Sequence, residues 1–191
     1  MVPATTLQEL LALMRSRPGR VTYASSGPGT ILHLSAHMMA AAAGVTAEPV
    51  PYRGAGPALQ DVLAGNVDFM IEGFLSMLPY VRSAQLRPLA IAATQRSPNL
   101  PDLPTTDEAG LPGFHVANWH AGFAPASTPA AVVRTLRELV QAGLAVPAVR
   151  QRMTETGLDL VGSSSTELGR FWDEQIAMWV PAVRASGASA D

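Results

Sequence analysis

The chain has 191 residues, of which 48% are hydrophobic, and its 13 basic and 15 acidic side chains leave a net charge of −2. That is enough chain to bury a sizeable core in one large domain or two small lobes, and the lack of a basic stripe argues against nucleic acid as a partner. There is no cysteine, which excludes disulfides and thiolate metal sites. The longest apolar run, Ile31 to Val45, is interrupted by His33, Ser35 and His37 and falls short of the ~18 residues a membrane span needs.

The N-terminal stretch lacks the charged region and cleavage site of a signal peptide. Thr5 to Gln8 reads as a capping box, followed by an amphipathic helix with Leu7, Leu10, Leu11 and Met14 on one face and a stop at Arg17-Pro18-Gly19. Val21 and Tyr23 open a first strand, and Ser25, Ser26, Gly27, Pro28 and Gly29 form a turn. A helix from about Thr30 to Ala43 follows, ended by Gly44. Ala47 to Tyr52 is a second strand, weakened by Pro49 and Pro51. A second glycine-rich turn, Arg53 to Gly56, leads to a helix with Pro57 as its first residue. Val67 to Ile71 is a third strand, Ser76 to Ala84 a helix, and Leu86 to Ala93 a fourth strand placed toward a sheet edge by Pro88. Three strand–helix alternations predict a parallel sheet with helices on both faces.

From Thr94 to Gly113, four prolines make an irregular connector, with a capping box at Thr105 to Glu108 for a short helix. His115 to Phe123 is predicted as extended. Thr128-Pro129 opens a helix carrying Val132, Val133, Leu136, Leu139 and Val140 on one stripe, and Pro147 to Thr156 is a further helix closed by Gly157. Ser164 to Glu167 caps the last helix, whose stripe of Leu168, Phe171, Trp172, Ile176, Trp179 and Val183 is expected to pack as core, with a kink at Pro181 near Ala177.

In an open parallel sheet, ligands bind off the carboxyl ends of the strands. Those ends carry Ser25 to Gly29, Arg53 to Gly56, and Glu72 to Gly73. A helix opening after small residues offers bare amides and a positive dipole end to an anion, here with serine and threonine hydroxyls beside it. The plain alternative is a strand–helix turn with Thr30 as N-cap. His33, in the first helical turn, is a candidate ligand contact, and Glu72 reads equally as a ligand contact or a turn residue. His33 and His37 lack the glutamate of a zinc-protease motif, since Leu34 follows His33. No phosphate loop, dinucleotide fingerprint or recognisable catalytic triad is present, so no metal and no cofactor is expected.

The runs YASSGPGTILHLSAHMM, VPYRGAGPALQDVLAGNVDFM and RPLAIAATQRSPNLPDLPTTDEAGLPGF, with the W-x-x-GFAPASTP segment at Trp119, resemble the Bug (TctC-like) family. These are periplasmic substrate-binding proteins of tripartite tricarboxylate transporters. The resemblance implies an α/β, periplasmic-binding-protein-like two-lobe fold closing on a small carboxylate, without catalysis, with membrane transporter subunits as partners and the periplasm as location. It implies ligand contacts at Ser25, Ser26, Gly27, Gly29, Thr30, Gly54, Ala55 and Glu72, beside His33. Glu72 stands where aspartate is usual, His120 where an aromatic residue is common, and Val146 where an aspartate caps the next helix. Against the family pattern the chain is expected to be N-terminally truncated. Residues 1–19 then lead from a missing part of the first lobe, 20–114 form the complete second lobe, and 115–191 are the returning segment of the first. Faces left uncovered in this way would favour a homodimer. The rival readings are a small hydrolase or isomerase using His33 or His120 with Glu72, and the ligand-sensing domain of a regulator.

Overall fold

The computed structural model describes residues 2–188. Contacts divide the chain into two compact units, residues 1–118 with 179–191, and residues 119–178.

The first unit begins with α1 (Leu7–Ser16). Its N-cap is Thr6, not Thr5, and the box closes on Glu9 rather than Gln8. Glu9 Oε2 accepts from the Thr5 amide and hydroxyl at 2.6 and 2.7 Å and from the Thr6 amide at 3.2 Å. The carboxylate wins over the neighbouring carboxamide because a charged acceptor binds several donors more strongly. These bonds hold its pKa below the usual glutamate range. Leu7, Leu10, Leu11 and Met14 are all buried, as their spacing requires.

Strands β1 (Thr22–Ser25) and β2 (Glu48–Pro51) pair in parallel, with Thr22 opposite Glu48 and Ser25 opposite Pro51. Successive strand side chains point to opposite faces, and β1 shows the result. Tyr23 joins the core formed with α1, Met39 and Phe69. Ala24 joins the cluster of Ala58 and Val67 on the other face. Helices α2 (Ile31–Ala42) and α3 (Ala55–Ala64) both pack on β1, which gives the layered α/β arrangement. Pro57 is the third residue of α3, because Gly54 at φ +117° starts the helix two residues earlier than the proline suggests.

Two predicted strands are cut short. Val67 to Ile71 makes only a parallel bridge between Phe69 and Tyr23. The Asp68 carboxylate takes the Thr22 amide at 2.8 Å, and the Thr22 hydroxyl accepts from the Asp68 amide at 3.3 Å, so side chains fill positions a ladder would use. Leu86 to Ala93 does not extend the sheet either; Ile91 bridges to Thr105 instead. Pro88 removes a ladder donor there. The box at Thr105 forms, with its amide 2.9 Å from Glu108 Oε2, but it caps a run of turns, not an α-helix. Helix α4 (Phe74–Arg82) starts two residues ahead of the predicted stretch. The α1 stripe shares one core with Tyr23 and Phe69.

In the second unit, α5 (Ala130–Ala145) and α6 (Pro147–Glu155) contain no buried residue. Val146 gives α6 no side-chain cap, and Pro147 takes the first position, where its missing N–H is not needed. Residues 115–123 are not part of any described strand. Helix α7 (Ser165–Ser186), of which residues 165–178 belong to this unit, opens on the predicted box, with the Ser164 amide 2.7 Å from Glu167 Oε2, and continues through Pro181. Its stripe is not core: Trp172 and Ile176 are more than two-fifths exposed. What the stripe meets is aromatic, Trp119 standing edge-on to Phe171 and Trp172, and Phe123 edge-on to Trp172. Periodicity shows that one face is apolar, and the described residues of this unit supply no sheet to cover it.

Candidate functional site

The parallel register brings three strand ends to one edge of the first unit. Ser25 ends β1 opposite Pro51, which ends β2, and Phe69 stands opposite Tyr23 on the far side. Helices α2, α3 and α4 each start just beyond this edge. None of the three has a side-chain cap, whereas α1 in the same unit has a full capping box. Uncapped helix starts leave amide donors and the positive dipole end open.

The turn after β1 is built from its own small residues. The buried Ser25 hydroxyl accepts from the Gly27 amide at 3.2 Å. Gly27 sits at φ +118°, a conformation that favours glycine, and its carbonyl accepts from the Thr30 hydroxyl at 2.7 Å. The Thr30 amide also meets the Gly27 carbonyl, at 3.3 Å. The Gly29 amide donates to His33 Nδ1 at 3.2 Å. The stretch from Ser26 to Thr30 uses most of its amides in local bonds. Those of Gly27, Gly29 and Thr30 are bonded inside the turn, and the Thr30 hydroxyl faces back into it. The donors that lack a partner among the described residues are the Ser26 amide and the first-turn amides of α2 at Ile31, Leu32 and His33. Turn formation by Gly27 and Thr30 thus holds the helix start open. Sequence reasoning missed Ile31 and Leu32 because their donors are backbone groups and their side chains look like core.

Gly54 caps α3 with open space where a side chain would stand, next to Ala55 on the exposed surface. Glu72 is half-buried. Its Oε1 accepts from the Gly73 amide at 2.8 Å, and its Oε2 is buried with no partner. Asn118, which the sequence did not single out, brings its side-chain nitrogen within 3.5 Å of where a Gly73 side chain would stand. Ala188 lies similarly close to Gly29.

His33 is buried beside Tyr23, with ring centroids 6.3 Å apart. Burial, and secondarily the neighbouring His37, push its pKa down. The folded state therefore prefers the neutral ring, and protonating Nδ1 breaks the Gly29 bond. Stability should be level above the ordinary histidine value of about 6.5 and decline as pH falls below it toward the lower folded value. Urea midpoints taken from neutral pH down to the edge of the carboxylate range should show that decline, and His33→Gln should flatten it. A level wild-type profile would contradict the assignment.

His33 bonds Gly29 and Glu72 bonds Gly73, so the pairing of His33 with Glu72 that an enzyme reading needs is not made. His120 lies exposed in the second unit. No cluster of histidine and carboxylate side chains able to hold a metal occurs among the described residues. No described helix is long and apolar enough to cross a membrane. A cavity of about 530 Å³ lies elsewhere, lined by Thr5, Gln8, Leu89, Pro101 and Glu108 among others. It includes no residue of the three turns, and the α1 start that borders it is already capped.

Residues 1–188 match the family model described as tripartite tricarboxylate transporter family receptor, TctC. A UPF0065 protein from the tcbD-tcbE intergenic region of Pseudomonas sp. strain P51 is 36% identical over 91% of this chain and 52% of its own length. Protein BugT of Bordetella pertussis is 32% identical over 96% of this chain and 56% of its own. The chain thus spans about half the length of these relatives. Among solved structures, R. palustris Rpa4515 with adipate matches with a TM-score of 0.88 at 32% identity, covering 98% of this chain and 63% of that one. MatC from Rhodopseudomonas palustris with bound malate matches at 0.82 and 33%, covering 95% and 63%. The periplasmic binding protein BugD matches at 0.83 and 32%, covering 98% and 64%. With the layered α/β fold of the first unit, these matches show a periplasmic-binding-protein fold, and the chain belongs to the TctC family of tripartite tricarboxylate transporter receptors.

Proposed function

We propose that this chain recognises a small carboxylate at the sheet edge of its first unit, as the substrate-binding component of a tripartite tricarboxylate-type transporter. The observation that carries this reading is the uncapped start of α2, where Thr30 bonds Gly27 and leaves the first-turn amides to an incoming anion. Ser26 adds its amide, Gly54 and Ala55 open the neighbouring helix start, and Glu72 closes the edge on the other side. Ser25, Gly27, Gly29, Thr30 and His33 act as the frame that fixes the turn. The adipate and malate held by the two R. palustris proteins support a carboxylate as the ligand class. In this reading 20–114 is the ligand-bearing lobe, the location is the periplasm, and the partners are membrane subunits of the transporter. Self-association through the exposed stripe of α5 belongs to the same proposal.

The donors identified all come from one edge, and tight binding needs a ligand surrounded and dried. The expected affinity is therefore weak, on the order of millimolar, or about −4 kcal/mol. Titration of adipate into the chain, followed by backbone-amide NMR with the uncharged diamide as control, tests the reading. Saturable shifts with adipate alone are expected, and a flat titration contradicts it.

A further inference from the structure

We propose that a carboxylate arriving at the start of α2 draws a proton onto His33, so that binding is coupled to proton uptake and tightens as the pH falls. This rests on the carboxylate reading above and adds a second, protonated state of the same site.

His33 is the one ionisable side chain in the first turn of α2. Its ring is buried, and Nδ1 accepts from the Gly29 amide at 3.2 Å. That bond uses the Nδ1 lone pair, so the proton of the neutral ring sits on Nε2. A second proton has to enter at Nδ1. It breaks the bond, releases the Gly29 amide and makes Nδ1 a donor. Two donors and a positive charge then stand within one helical turn, about 5.4 Å, of the open amides of Ile31, Leu32 and His33. One neutral hydrogen bond is given up, and a charge-assisted one, roughly twice as strong, becomes available to an anion.

Without a ligand, nothing around the ring favours its charge. The groups that face it are Tyr23 of β1, with ring centroids 6.3 Å apart, and His37 of α2, at 6.5 Å. Burial, and secondarily Glu48 of β2, push Tyr23 up to about 12, so it stays neutral. Glu48 acts on Tyr23 and not on His33, while His37 can only oppose a second positive charge. Burial and His37 thus keep the free ring neutral. A bound carboxylate is the counter-charge that the described residues do not supply. Linkage is reciprocal: an anion that prefers the charged ring makes the ring easier to charge. Affinity should therefore be level at high pH, rise as the pH falls through the His33 value of the complex, and level again below the lower value of the free protein.

The test follows the ring protons of His33 and His37 by NMR from about pH 8 to about pH 5. The 191-residue chain is measured with saturating adipate and with sodium chloride at equal ionic strength. His33 should titrate about one pH unit higher with adipate, equivalent to about tenfold tighter binding by the protonated form, and His37 should move less. His33→Gln retains an acceptor for the Gly29 amide but cannot be charged. The rise in adipate affinity at lower pH, seen by calorimetry in the wild type, should be lost in it. A wild-type His33 titration that adipate leaves in place, or a rise in affinity that survives His33→Gln, overturns this proposal and leaves the carboxylate reading standing. Failure of adipate to bind the wild type at any pH overturns both.

Discussion

Replacing Met14 with alanine is expected to lower the stability of this chain by about 2–5 kcal/mol, the range for emptying a fully packed methionine site. Met14 has no exposed surface and belongs to the one cluster that joins α1 to Tyr23, Met39 and Phe69. Truncation leaves a cavity lined by side chains from separate elements, which cannot all close on it. Because whole domains are stable by only about 5–15 kcal/mol, the loss is a large fraction of the total. The contrast is Val161→Ala: Val161 is 82% exposed, and that change should stay within about 0.5 kcal/mol. Urea unfolding of both variants checks the pair. A Met14→Ala midpoint equal to wild type would mean that α1 is not part of the core.

The second large effect concerns binding. Ile31→Pro should weaken adipate binding by about tenfold or more, since it deletes one amide bonding a charged group, worth about 1.5–3 kcal/mol. The substitution suits the position. Ile31 is the first residue of α2, where proline's fixed φ fits and no intrahelical bond is lost. Thr30 already has φ −74° and ψ 162°, the extended backbone that a residue before proline adopts. The helix should therefore survive, and circular dichroism would show it. Unchanged affinity in a folded variant would remove the α2 start from the site.

How much of this was legible beforehand differs by element. The α1 stripe was fully readable, because four apolar residues at helical spacing before a proline-glycine stop admit one arrangement. The edge of three turns was readable too, since parallel alternation puts every strand end on the same side. The cap of α1 slid by one residue because Thr5 and Thr6 compete for one carboxylate, and pattern alone does not say which threonine prevails. The third strand shrank to a bridge through a side chain, Asp68, reaching the backbone of Thr22. The open amides moved from the glycine turn to α2 because the conformation of Gly27 turns its carbonyl toward Thr30, a matter of backbone angles that residue types do not encode one by one. Exposure of the α7 stripe was out of reach, since an apolar face announces a need for cover and not its presence.

The central claim is that the start of α2 is where a carboxylate binds. Its most direct measurement is the residue-by-residue map of amide shifts as adipate is added. The account predicts the largest shifts at Ser26, Ile31, Leu32 and His33, with smaller ones at Ala55 and Gly73 and none from the uncharged diamide. Shifts centred instead on Gln8, Leu89 and Leu100, around the cavity of about 530 Å³, would contradict it.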